Sequence, residues 1–167
     1  RIETDGENVA HNGNTLLGWD DYQSAKAAVI FTTLFATPQR KKMGEWDTQI
    51  YKDFDQAHSL YRAQLDVYHR LADKHSNKFR LIFNTRDLEE VLAHWAGDQK
   101  DHPVGMVILM EGAEGVRKPS ELDEWWSNGV RIIGPAWTGT RFCGGTHEPG
   151  PLTDDGRDLL SAMADIG

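Results

Sequence analysis

From Val104 to Met110 the chain reads Val-Gly-Met-Val-Ile-Leu-Met, a nearly continuous apolar run that ends in Glu111 with glycines at 112 and 115. Apolar residues without polar alternation mark a parallel strand covered on both faces, which directs the fold toward α/β architectures. Such folds place their chemistry at the C-terminal ends of strands, and Glu111 stands at one. A lone glutamate after a strand more often caps the next turn. The rest of the chain has to decide between the two roles.

Other elements fall into place around this strand. Residues 1–24 are polar and rich in Asn, Gly and Asp, and are expected to form an irregular lead-in with a turn at Asn12-Gly13. From Ala27 a β-branched and aromatic run bounded by Pro38 predicts a buried strand. Ile50, Phe54, Ala57, Tyr61, Leu65, Tyr68 and Ala72 recur at helical spacing and predict a long amphipathic helix. Phe79 to Phe83 reads as a strand, and Asn84 or Thr85 can cap the helix that follows. Ser120-Glu-Leu-Asp123 resembles a capping box opening a short helix through Trp125 and Trp126. Val130 to Ala136 is a further strand, and Thr153-Asp-Asp opens a last helix with acidic residues at its positive end.

Strand and helix thus alternate about four times, the signature of parallel βαβ units. Four units make half of a (β/α)8 TIM barrel, and the alternation stops at Gly167 just past a helix. Residues 1–167 are therefore expected to be one domain that is a fragment of a longer barrel. The competing architecture is a small open doubly wound sheet, which would normally carry a Gly-x-Gly-x-x-Gly turn after a strand; none is present.

Composition narrows the function. A formal net charge of -8 with scattered lysines and arginines argues against a nucleic-acid surface, and the run Arg40-Lys41-Lys42 is most simply a solvated loop. No apolar run reaches membrane-spanning length and no signal-peptide pattern is visible, although a chain beginning with Arg1 leaves a leader upstream open. The single Cys143 forms no intramolecular disulfide and is compatible with a cytoplasmic location. Without a Cys-x-x-Cys pair, any metal must be held by carboxylates and histidines.

Two windows follow strands directly: Glu111-Gly-Ala-Glu114-Gly115, and Trp137 to Gly150 with Arg141, Cys143 and His147. Glu111-Gly, a capped helix, Gly129-Val-Arg131 leading into a strand, a Gly-rich loop and then Leu152-Thr-Asp-Asp-Gly156-Arg-Asp-Leu-Leu make up an ordered series. In that order it is similar to the membrane dipeptidase (renal dipeptidase) family of metallopeptidases, over about residues 27–167 and most clearly from 104 onward. The resemblance implies a barrel of the amidohydrolase superfamily with two zinc ions, hydrolysing dipeptides through a metal-bound hydroxide. Glu111 matches the bridging glutamate. The chemistry is sound, since one carboxylate can hold two cations about 3.5–4 Å apart and zinc lowers the pKa of its water to about 7.

Other family parts are missing. The His-x-Asp pair expected at the first barrel strand is not found, His11-Asn-Gly13 having the wrong third residue, and the remaining histidine ligands would lie beyond Gly167. Only one expected metal ligand is present, so these residues alone should not build the binuclear site. Where the family usually carries a histidine after the Gly-Val-Arg strand, this chain has Trp137, which can shape an apolar pocket but cannot act as a cation.

The remaining candidates are weighed against simpler roles. Arg141 could meet a substrate carboxylate with two hydrogen bonds, though a surface salt bridge is the commoner fate. His147 lies in the Gly-rich loop, which suits a mobile substrate lid as well as a metal site. His58 and His69 fit packing or surface positions, and His75, His94 and His102 flank helix ends. Trp125 and Trp126 cannot face the same way, so one should pack inward and the other could mark a homodimer contact. Two functions result. One is a zinc-dependent dipeptidase-like hydrolase with Glu111 as metal bridge, Trp137, Arg141 and His147 at the substrate and no catalytic residue assigned. The other is a non-catalytic barrel that binds a small molecule or protein.

Overall fold

The computed structural model describes residues 17–45 and 47–166. His11 and the expected turn at Asn12-Gly13 lie outside the described residues. The lead-in is not irregular to its end, because residues 19–24 form helix α1 (Trp19–Ser24), opened by the Asp21 carboxylate accepting the Gly18 N–H at 2.7 Å. Strand β1 (Val29–Leu34) follows, and β2 (Thr37–Pro38) and β3 (Ile50–Tyr51) make a small parallel pair of their own.

The long helix α2 (Phe54–Lys74) starts at Phe54 because Asp53 caps it, its carboxylate accepting the Gln56 N–H at 2.8 Å, while Ile50 is used in β3. Its buried Ala57, Tyr61 and Leu65 are spaced four apart and form one stripe. Next come β4 (Phe79–Leu81) and α3 (Thr85–Trp95), which Asn84 caps by accepting the Asp87 N–H at 3.1 Å. The apolar run is β5 (Val104–Glu111), followed by α4 (Leu122–Ser127), β6 (Val130–Gly134) and α5 (Asp154–Ile166). The expected capping box at Ser120 does not form. A 3-10 turn spans Pro119–Glu121, and the Glu121 carboxylate takes the Arg117 N–H instead at 2.9 Å.

The main sheet is wholly parallel, and β5 lies at its centre. β1 pairs with β5 from Gly105 to Met110 along one edge. The other edge is shared, with β4 along Val104–Met106 and β6 along Ile108–Glu111, and the register shifts between Ile108 and Leu109. So β1, β5 and β6 run side by side to a common C-terminal end, while the three-residue β4 stops at the middle of β5. Along the chain the order β1, α2, β4, α3, β5, α4, β6, α5 keeps the expected alternation of strand and helix.

Helices cover one face of this sheet. Ile108 and Met110 are buried among Leu65, Trp125 and Leu159, and Met106 packs with Trp19 and Phe79. On the opposite face Val107 and Leu109 are only half-buried, and their neighbours Phe31 and Ile132 are 63% and 41% exposed. The run expected to be covered on both faces is therefore covered on one among the described residues. Glu111, in phase with Val107 and Leu109, belongs to the uncovered face.

Candidate active site

Three strands deliver their chain ends to one place. β5 ends at Glu111, β1 at Leu34 opposite Met110, and β6 at Gly134 opposite Glu111. The Gly112 N–H donates to the Gly134 carbonyl at 2.9 Å and the Ala113 N–H to the Pro135 carbonyl at 3.3 Å, which carries the pairing one step past the strands. Below them the Tyr61 hydroxyl, on α2, lies 2.8 Å from the carbonyl oxygens of both Glu111 and Gly112. The Glu111 backbone is thus fixed, while its half-buried carboxylate has no hydrogen-bond or ion-pair partner among the described residues.

Glu114 is the second carboxylate of this loop and its surroundings are different. It is 4% exposed; one oxygen accepts the Arg141 N–H at 2.7 Å and the other has no partner among the described residues. Burial raises its pKa above the ordinary carboxylate value, against the lowering effect of the Arg141 amide and of the Arg141 and Arg40 charges. Nearby Tyr51 is pushed up to about 12 by burial first and by the Glu114 charge second.

The loop from Trp137 to Gly150 is strapped down from several sides. Glu148 gathers the Arg40 guanidinium at 2.9 Å, the Lys41 ammonium at 3.0 Å, the Thr138 hydroxyl at 2.5 Å and the Gly139 N–H at 2.7 Å. Arg40 first, then Thr138 and Lys41, hold its pKa well below the usual carboxylate range. Arg40 and Lys41, expected in a solvated loop, are therefore half of an ionic fastening between the segment after β2 and the loop after β6. The Gly-rich composition expected to suit a mobile lid has another cause at Gly145, where a Cβ would lie 2.6 Å from the Trp137 carbonyl oxygen. Backbones cross too closely there for any side chain.

The residues anticipated at the site are dispersed. Trp137 is beside the Glu111 strand end, 45% exposed, with its ring edge-on to Phe35. Arg141 turns away from it: its guanidinium donates to the Val116 and Arg117 carbonyls and lies 4.3 Å from the Phe54 ring centre and 4.5 Å from that of Phe142. His147 is exposed at the tip of a turn with φ 61°, between the Gly145 and Glu148 residues that bridge to each other. The sequence marks Tyr61 only as part of a helix stripe, Glu114 and Glu148 only as members of the two flagged windows, and Phe35 only as part of a strand. Glu114 lay within the flagged window, but nothing local shows which side chain of that window is buried.

The other histidines hold backbone together. His58 Nδ1 is 2.9 Å from the Gly115 carbonyl and His69 Nε2 is 2.9 Å from that of Asn128. His102 stacks on Trp95 with ring centres 4.7 Å apart. Trp125 is 1% exposed and Trp126 38% exposed beneath the Arg131 guanidinium, the inward and outward division expected of that pair. Among the described residues no three His, Cys, Asp or Glu side chains are grouped to hold a metal ion, and no helix is long and apolar enough to cross a membrane. Glu111 is a suitable donor, with a free carboxylate on a rigid strand end. A metal there would need further donors from outside the described residues.

No family model matches the chain. An uncharacterized protein in the PQQ-III 3'region of Acinetobacter calcoaceticus is 28% identical over 147 residues, which are 81% of this chain and 44% of that protein. Among solved structures, the dipeptidase AC, a metallopeptidase of family M19, superposes with a TM-score of 0.72 at 18% identity, over 96% of this chain and 48% of that one. A metallopeptidase from Rhodobacter sphaeroides, liganded with a phosphinate mimic of the dipeptide L-Ala-D-Ala, does so with a TM-score of 0.72 at 17% identity, over 96% and 52%. The chain has the fold of part of these metallopeptidases, as the resemblance in its motifs implies, and spans about half their length.

Proposed function

We propose that the protein to which these residues belong is a metal-dependent hydrolase of the membrane dipeptidase type, cleaving dipeptides or related amides, with Glu111 bridging two zinc ions. The observation that carries this reading is Glu111: half-buried, its carboxylate without a partner among the described residues, on a backbone that Tyr61 and the neighbouring strands fix. A bound zinc supplies Lewis acidity, polarising a carbonyl and acidifying water. The uncovered apolar sheet face with Phe31 and Ile132 fits a barrel interior that further strands close. Arg141 serves in this reading as a positioning residue, joining the loop after β6 to Val116 and Arg117, and His147 stands at the rim where substrate enters.

The second reading is a non-catalytic barrel that binds a small molecule, and exposed Trp137 favours it because an aromatic contact needs no metal. Metal content per chain of the full-length protein separates the two, measured for wild type and Glu111→Gln after identical purification. About two ions in the wild type and fewer in the variant, with dipeptide hydrolysis lost in parallel, is the expected result. A folded sample that takes up no zinc in either form would leave only the binding module.

A further inference from the structure

Phe35 and Trp137 stand on opposite sides of Glu111, because β1 and β6 flank β5 on its two edges. Their rings nevertheless meet, with centres 5.3 Å apart and planes at 85°. The contact therefore spans the end of β5. The Trp137 backbone is also close to it, since a Cβ on Gly112 would lie 3.9 Å from the Trp137 nitrogen.

Both ring-bearing backbones are held independently of any ligand. Gln64 of α2 clamps Phe35 by a reciprocal pair, accepting the Phe35 N–H at 2.9 Å and donating to the Phe35 carbonyl at 2.7 Å. The Trp137 carbonyl accepts the Thr146 N–H at 2.8 Å, and the next two residues are bonded to Glu148. An edge-on pair leaves the face of at least one ring open to a third apolar group. Trp137, still 45% exposed, has that surface to offer. Rings fixed in advance lose little freedom on binding, which is what makes a rigid aromatic surface an effective contact.

We propose that Phe35 and Trp137 form a preorganised aromatic subsite beside Glu111 that receives an apolar side chain of the substrate, so that the enzyme selects dipeptides or related amides bearing a large apolar residue. The proposal rests on the hydrolase reading above and specifies its substrate class. Glu148 and Gln64 are positioning residues for the two rings. The carboxylate end of β5 and the aromatic wall then divide the substrate between them, polar amide toward Glu111 and side chain against the rings.

The test uses the zinc-loaded full-length protein and three dipeptides, Ala-Ala, Phe-Ala and Ala-Phe, comparing kcat/KM ratios in wild type, Trp137→Ala and Trp137→Phe. The wild type should favour one phenylalanine peptide over Ala-Ala by roughly tenfold or more, the discrimination an apolar pocket can supply. Trp137→Ala should bring that ratio close to one, and Trp137→Phe should restore most of it. A wild type with no preference would overturn the subsite while leaving the hydrolase reading standing, and so would a variant that slows all three peptides equally, as a purely structural tryptophan would. No turnover of any peptide by the zinc-loaded wild type would overturn the hydrolase reading and this subsite with it.

Discussion

The Tyr61 hydroxyl lies 2.8 Å from the carbonyl oxygen of Glu111 and 2.8 Å from that of Gly112, one buried proton shared by the two carbonyls where β5 leaves the sheet. Tyr61 is 1% exposed, and burial pushes its pKa above the ordinary phenol range, so the hydroxyl keeps its proton at neutral pH. Tyr61→Phe keeps the ring in its packing and removes only the donor. It should cost about 1–3 kcal/mol, since two buried carbonyls lose a shared partner, read as a lower urea midpoint with an unchanged slope. On the metal-dependent reading proposed above, zinc retention by the full-length protein should also weaken in this variant, because the Glu111 backbone loses one of its anchors. An unchanged midpoint would mean that water replaces the hydroxyl there.

Glu114 and Glu148 should give stability opposite dependences on pH. Arg40, Thr138 and Lys41 depress the Glu148 pKa, so its contribution is complete above the reference value of 4.5 and fades as pH falls below it toward the folded value. Burial raises that of Glu114, so its favourable contribution is complete below 4.5 and is lost as pH rises through the folded value. Thermal midpoints between pH 4 and 8 should therefore rise less steeply, or fall, with pH in wild type relative to Glu114→Gln. For Glu148→Gln the wild-type advantage should be present at pH 7 and shrink on acidification below 4.5. Parallel curves for wild type and both variants would contradict these assignments.

What could be read from the sequence was local. The apolar run of β5, the Asn84 cap and the stripe Ala57, Tyr61 and Leu65 are each set by neighbours within a few residues, and each is in the structure. The sheet order was less accessible, because Phe79–Leu81 has the composition of a strand whether it runs the length of β5 or stops halfway. The position of Glu111 at the C-terminal end of β5 followed from the same apolar run. Glu148 and Arg40, 108 residues apart, pair through the fold alone, and the same holds for Phe35 and Trp137. No periodicity encodes such a meeting.

The two helix starts supply a direct comparison. Asp53 caps α2 with an observed bond to the Gln56 N–H, whereas Ser120, which fits the capping-box spacing, makes no cap bond to α4. Asp53→Ala should therefore lower stability by about 1 kcal/mol, and Ser120→Ala should stay within about 0.5 kcal/mol of wild type. Chemical denaturation of the two variants side by side checks this. An equal loss at Ser120 would restore the capping box that the sequence pattern suggests.

Gly156 is the tightest fit between the final helix and the loop after β6. A Cβ there would lie 2.2 Å from the Phe142 carbonyl oxygen and 2.6 Å from a Leu152 methyl, so backbone and side chain both block it. The same junction is tied by Thr153, whose hydroxyl donates to the Arg141 carbonyl at 2.6 Å and accepts the Gly156 N–H at 3.1 Å. Even in the first turn of a helix alanine is favoured over glycine, by at most about 1 kcal/mol, but here overpacking should win and Gly156→Ala should destabilise by about 1–3 kcal/mol. Because α5 must move away from Phe142 to admit the methyl group, the loop carrying Trp137 should also become more sensitive to proteolysis than in wild type. A stabilised variant with unchanged cleavage would show that α5 has room the observed contacts deny it.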